Sequence, residues 1–191
     1  MRTSTALLLV GLAMAPGSVA WGQTPPNVAN SGGWISRFVP AEIFQRMLER
    51  PERAPDAMLL KVDANTAWAA MEATLKDLDV PVGFSERSVG EMGAVKAKLY
   101  KRMGKASLSE YLRCGEGTAG PNADMYVVYV SVVGFVRAMP NGETGLQTMI
   151  TGQAVDLPNG RNEVIDCTSS GQFESKATKL LAKKLLSKPS Q

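Results

Sequence analysis

The strongest hydrophobic run in the chain is MYVVYVSVVGFVR at 125–137. It is β-branched and aromatic at both alternating sets of positions, which predicts a strand covered on both faces. Pro140-Asn141-Gly142 follows as a turn, and Asn-Gly favours hairpins, so GLQTMITGQAVD (145–156) is expected to return antiparallel. Pro158-Asn159-Gly160 predicts a second turn, and NEVIDC (162–167) a last short strand or an extended approach to Cys167. Upstream, AVKAKLYKR (94–102) alternates, with Val95, Ala97 and Leu99 on one side and Lys96, Lys98 and Lys101 largely on the other. That pattern predicts a strand with one wet, basic face. MLLKVD (58–63) and PVGFSER (81–87) read as shorter strands, and SLSEYLRC (107–114) suits a helical turn capped by Ser107.

Three segments carry helical periodicity. In 41–49, Ile43, Phe44, Met47 and Leu48 share a face, and Pro51 stops the helix. Over 64–78, Trp68, Met71, Leu75 and Leu78 follow a cap at Asp63 or Asn65, and Pro81 lies beyond the end. At the C-terminus, Phe173, Ala177, Leu180, Leu181 and Leu185 form a stripe, with Lys176, Lys179, Lys183 and Lys184 largely elsewhere. Ser169 or Ser170 caps this helix, and Gln172 completes a possible capping box. The fold class expected is α+β: an antiparallel sheet of four to five strands packed on a long C-terminal helix, in the order β-α-β-β-β-β-α. The domain spans 58–188. Residues 21–57 form a flexible leader with a short helix, and Trp21, Trp34 and Phe38 are free to dock on the domain or a partner.

Composition adds a compartment. Arg2, the apolar stretch Ala6–Ala15, the Pro16-Gly17 break and Ser18-Val19-Ala20 make residues 1–20 a secretory signal. Trp21 stands where a lipoprotein would need cysteine, so cleavage near Ala20 is expected to give an exported, soluble protein, periplasmic or extracellular. No other stretch is long and apolar enough to cross a bilayer. The net charge of +3 is too small to point to nucleic acid. Two cysteines in an exported chain suggest a Cys114–Cys167 disulfide, which closes a loop of 53 positions. Such a closure is worth roughly 4 kcal/mol in the chain-entropy picture.

The chain has no histidine. That removes the commonest general base, the Ser-His-Asp and Cys-His constellations, and most zinc chemistry. No catalytic residue, metal ligand or cofactor is assigned. Gly115, Gly117 and Gly120 spell G-x-G-x-x-G, but Pro121-Asn122 and a strand follow where a dinucleotide loop needs a helix, so the motif reads as a turn. Glu110, Glu116, Asp124, Glu163 and Asp166 lie near the cysteines in sequence, where a close pair suits glycoside hydrolysis and a cluster suits calcium; the default reading is solvated loop carboxylates. The serines have no suggestive lysine spacing. The C-terminal lysines suit lipid headgroups or, by default, water.

The element order resembles the helix-grip arrangement, in which an antiparallel sheet curls around a long C-terminal helix. MLLKVDANTAWAAMEATLKDLDV (58–80) is similar to the opening of START-like and polyketide-cyclase-like proteins, where Val62, Ala64 and Trp68 match a V-x-A-x-x-x-x-W run. The same order occurs in the domains of the outer-membrane assembly lipoprotein BamC. The chain departs from BamC in lacking a lipobox cysteine, and from the START-like group in its cysteines and short length. The BamC-like resemblance implies a non-enzymatic envelope protein that binds another envelope macromolecule through the wet sheet face or the leader. The START-like resemblance implies instead a carrier of a small apolar ligand or lipid, with Met92, Met125 and Met149 lining a cavity between sheet and helix.

Overall fold

The computed structural model describes residues 34–48, 57–157, 160 and 163–186. The expected signal (1–20), leader residues 21–33, link residues 49–56 and Pro158-Asn159 lie outside the described residues. Helix α1 (Ala41–Leu48) is followed by β1 (Met58–Leu60) and α2 (Ala64–Asp77). Next come β2 (Phe84–Glu86), β3 (Glu91–Tyr100) and the short β4 (Arg102–Met103) and β5 (Ala106–Ser107). A helical turn, α3 (Leu108–Tyr111), leads into β6 (Leu112–Arg113). The glycine-rich stretch makes a separate small hairpin, β7 (Glu116–Gly117) with β8 (Gly120–Pro121), and one further helical turn, α4 (Asn122–Met125). The long β9 (Val127–Ala138) and β10 (Thr144–Val155), then β11 (Val164–Ser169) and α5 (Gln172–Leu186), complete the chain.

The protein is α+β, with an antiparallel sheet and a C-terminal helix. The sheet runs β5-β4-β3-β9-β10-β11-β6, with β1 added to β10 and β2 to β3. It therefore has nine strand segments where the sequence predicts four to five strands; the segments not read from the sequence are the two-residue pieces β4, β5 and β6, too short to carry a period. The β9–β10 hairpin pairs over its full length, from Ala138 with Thr144 to Val127 with Val155. Its turn closes with Met139 N–H donating to the Glu143 carbonyl (2.8 Å), and Gly142 at φ +79° takes the left-handed position.

Asp63 caps α2, its carboxylate accepting from the backbone N–H groups of Asn65 (3.0 Å) and Thr66 (2.9 Å). The helix ends when Asp79 turns left-handed and Val80 N–H reaches back to the Leu75 carbonyl (3.0 Å), two residues before Pro81. Helices α2 and α5 lie side by side on one face of the sheet. Met71, Leu75, Phe173 and Leu181 pack there against Val128, Val132, Leu146 and Ile150.

The opposite face is covered too. Trp34, Val39, Ile43, Phe44 and Met47 form a second apolar cluster with Val133, Phe135 and Met149. The part of the leader seen in the structure, 34–48, is thus packed on the sheet and not loose. Strand β3 corrects a second expectation. Ala94 pairs with Val132 and Ala97 with Val130, so the chain gains one residue in a bulge, where Lys96 sits at φ +50°. The bulge resets the alternation: Val95 packs with the second cluster, whereas Ala97 and Leu99 pack beneath the helices.

Candidate functional site

Cys114 and Cys167 are bonded, with Cα atoms 4.2 Å apart. The bridge ties the entry to the glycine-rich hairpin to the strand that feeds α5. Asn122 closes the hairpin locally: its side-chain amide donates to the Cys114 carbonyl (3.1 Å) and its backbone N–H to that of Gly115 (3.1 Å). Both cysteines are buried, so the sulfurs are shielded from thiol exchange. A four-residue turn and then β9 follow the glycines, so no helix of useful length presents its N-terminus to a phosphate.

The five carboxylates near the cysteines do not converge. Asp124 accepts from the Ser109 backbone N–H (2.9 Å) and hydroxyl (2.5 Å), fixing the start of α3. Glu110 pairs with Lys176 on α5. Asp166 pairs with Arg46 of α1 (3.2 Å) and accepts from the Gln153 amide (3.0 Å). Glu116 and Glu163 are exposed. Among the described residues no cluster of three or more suits a metal ion. The Glu110 carboxylate holds the Lys176 ammonium above the ordinary lysine range, so this amine stays protonated near neutrality and is not a general base. Lys184 likewise pairs with Asp77 (2.7 Å), so Lys176 and Lys184 of the C-terminal row both meet carboxylates on neighbouring elements.

Two open clefts flank the Glu110–Lys176 pair. One, of about 500 Å³, is lined by Glu110, Arg113, Cys114, Glu116, Ser170 and Gln172. The other, of about 600 Å³, includes Lys76, Asp79, Lys105, Glu110, Tyr111 and Lys176. Both mix charges of either sign and lie open to water, an arrangement for polar surface contact.

Side chains pack closely between the helices and the sheet. That packing is direct at two points of the β9–β10 hairpin: a Cβ on Gly134 would lie 2.9 Å from the Met71 sulfur, and one on Gly152 would lie 3.0 Å from a Leu112 methyl, while an open cleft of about 420 Å³ reaches Met92 beside Val80 and Val82. Side chains thus rest directly on the two glycines of the β9–β10 hairpin that face the helices. Met92 is buried beneath the helices, Met149 is buried on the opposite face, and Met125 is exposed. The three methionines expected to line one cavity share no common space.

The two most consequential charged residues are absent from the sequence candidates. Glu91 is fully buried and takes three donors: Arg137 (2.7 Å), the Ser36 hydroxyl (3.1 Å) and the Arg37 backbone N–H (2.9 Å). It clamps residues 34–39 to the sheet. Its partner had a signal, since Arg137 is the lone charge in the 125–137 run. Glu174 is buried at the start of α5, accepting from the Ser169 hydroxyl (2.7 Å) and the Ile150 backbone N–H (3.2 Å). It completes the edge of β10 between the stretches paired by β1 and β11. Burial pushes its carboxyl above the usual range. Glu174 also had a signal, lying three and seven positions before Ala177 and Leu181 on the apolar stripe. The expected capping partner, Gln172, only donates its backbone N–H to the Ser170 hydroxyl (3.3 Å). Among the described residues no helix is long and apolar enough to cross a membrane. Neither a protein-family model nor a curated protein sequence matches the chain.

Proposed function

We propose that this is an exported, non-enzymatic envelope protein that binds other envelope macromolecules through its outer surface. The observation that carries the reading is the close packing of side chains on the sheet beneath the helices. Met71 on Gly134 and Leu112 on Gly152 occupy the space where a helix-grip carrier would hold its ligand. Recognition is then left to the exterior, as in the BamC-like resemblance. A buried disulfide suits an oxidising compartment, which agrees with the signal-like residues 1–20. The absence of histidine and the separate structural partners of Asp124, Glu110 and Asp166 favour a binding role over catalysis.

The test is native mass spectrometry of the chain expressed in a bacterium with its own N-terminus and recovered unreduced from the periplasm. The expected result is a chain beginning at Trp21, two hydrogens lighter than the dithiol, with no adduct. A chain retained in the cytoplasm with residues 1–20 attached overturns the export reading. A retained lipid-sized adduct overturns the close-packing argument and establishes a carrier.

A further inference from the structure

Residues 34–48 shield only one end of the second sheet face. Strand register shows what lies at the other end. Arg102 pairs with Tyr100, Tyr100 with Val127, Val127 with Val155, and Val155 with Val164. Directly opposed residues project from the same face, so these five side chains form one row across five strands, from β4 to β11. The next row inward on this face is Lys98, Tyr129, Gln153 and Asp166. Beyond it the face closes over Ser131 and Thr151 and then over the cluster beneath α1.

A solvated sheet end is ordinarily polar. Here Tyr100 is 51% exposed and Val164 56%, while Val127, Val155 and Tyr129 are half-buried. The charge along the row is lopsided. Lys98 and Arg102 stand at the β3–β4 end, Lys101 places its ammonium 5.1 Å from the centre of the Tyr100 ring, and Lys96 is exposed at the bulge. Among the described residues none of these four cations has an ion-pair partner. At the far end Asp166 is already engaged by Arg46.

We propose that this row is a docking surface for an acidic segment of a partner protein. The partner's carboxylates meet Lys98, Lys101 and Arg102, and its apolar side chains lie along Tyr100, Val127, Val155 and Val164. The proposal rests on the reading of the protein as a macromolecule binder and names the surface and the partner chemistry. Tyrosine and arginine over an apolar strip are the residues that protein interfaces favour. A membrane fits less well, because Val127 and Val155 are half-buried, whereas membrane insertion needs well-exposed apolar side chains. A second copy also fits less well. Five strands spaced about 4.8 Å apart, with two rows about 7 Å apart, give a strip about 20 Å long and about 14 Å wide, roughly 300 Å² and far less than the roughly 800 Å² per partner of a stable interface. The contact is therefore a transient one, steered by charge.

The test is an amide NMR titration of the oxidised chain with random poly(Glu,Tyr) copolymer as the probe, at low and high salt. The expected shifts fall at 98–102, 127–129, 153–155 and 164–166 and fade as salt rises. Paired Lys98→Glu and Arg102→Glu substitutions weaken binding by about tenfold or more, and Tyr100→Ser weakens it about threefold, with the rest of each spectrum unchanged. Shifts centred on the α5 lysines, or an affinity indifferent to the charge reversals, overturn the assignment. So do shifts at the row produced only by phosphatidylglycerol–phosphatidylethanolamine vesicles, or by raising the protein concentration without probe. A retained lipid in the mass spectrum would overturn the proposed function whatever the titration shows. A silent titration with adduct-free, exported protein overturns only this surface.

Discussion

Each face of the sheet carries a dry apolar cluster, but the two clusters are built by different means. On the helix face, apolar area is spread over two long helices and many side chains. On the other face, a segment with one eight-residue helix is held by a few large anchors. Trp34 and Phe44 stack edge-on against Phe135, at 5.6 and 6.3 Å between ring centroids, and the buried Glu91 collects donors from residues 36 and 37. Distributed burial gives a cooperative core. A few anchors on a short segment give a unit that is able to open by itself.

Loss of a large ring from the helix face should have the greatest effect. Phe173 is fully buried against Tyr111, and Phe173→Ala is expected to cost about 3–5 kcal/mol in denaturant unfolding, with all probes moving together. Replacing both cysteines with serine should cost about 2–5 kcal/mol, measured the same way, because the denatured chain regains the closed loop's freedom. Trp34→Ala tests the contrast directly. Its cost is capped by the docking free energy of 34–48, so global stability should fall by only about 1–3 kcal/mol while hydrogen exchange accelerates in 34–48 before it does in β9. A loss as large and as global as that of Phe173→Ala would mean that the two faces form one cooperative unit. Glu91→Gln keeps the shape but weakens the clamp, at a cost of about 1–3 kcal/mol, with the same exchange signature.

The smallest effect is one of pH. Burial raises the Glu174 carboxyl, so the folded state holds this proton more tightly than the unfolded state does. Its favourable contribution is complete below the unfolded value, near 4.5, and is lost as pH rises through the folded value. Glu174→Gln should therefore gain stability relative to the native chain across that window and hold a constant difference above it, as read from urea midpoints at stepped pH.

The helix face was legible from the sequence because it obeys a period. The stripe through Phe173, Ala177, Leu181 and Leu185, the Asp63 cap and the Asn141-Gly142 hairpin are local rules that survive into the fold. The second face was not legible, because Trp34 and Val39 precede α1 without a repeat and their partners lie about a hundred residues away. Lys96 shows the limit from the other side: its strand alternates cleanly in sequence, yet a one-residue bulge turns Val95 away from Ala97. Register is a tertiary property, and a period of two is blind to an inserted residue. The carboxylates followed the same rule. Asp124, Glu110 and Asp166 stood out by closeness in sequence to the cysteines, while Glu91 and Glu174, which organise the interior, each bind a group far away in sequence, Arg137 and the Ile150 N–H.

The Cys114–Cys167 bond makes a covalent ring of everything between the two sulfurs, and β9, β10 and β11 as far as Cys167 lie inside it. A protease that cuts the exposed turn at 140–142 therefore yields two strands of chain that remain one molecule until a reductant arrives. A cut between Leu48 and Ala57 has the opposite outcome. The N-terminal piece is then retained by non-covalent contacts alone, among them the Trp34 cluster, the Glu91 clamp and the Arg46–Asp166 pair, and it leaves with a rate that dilution can measure.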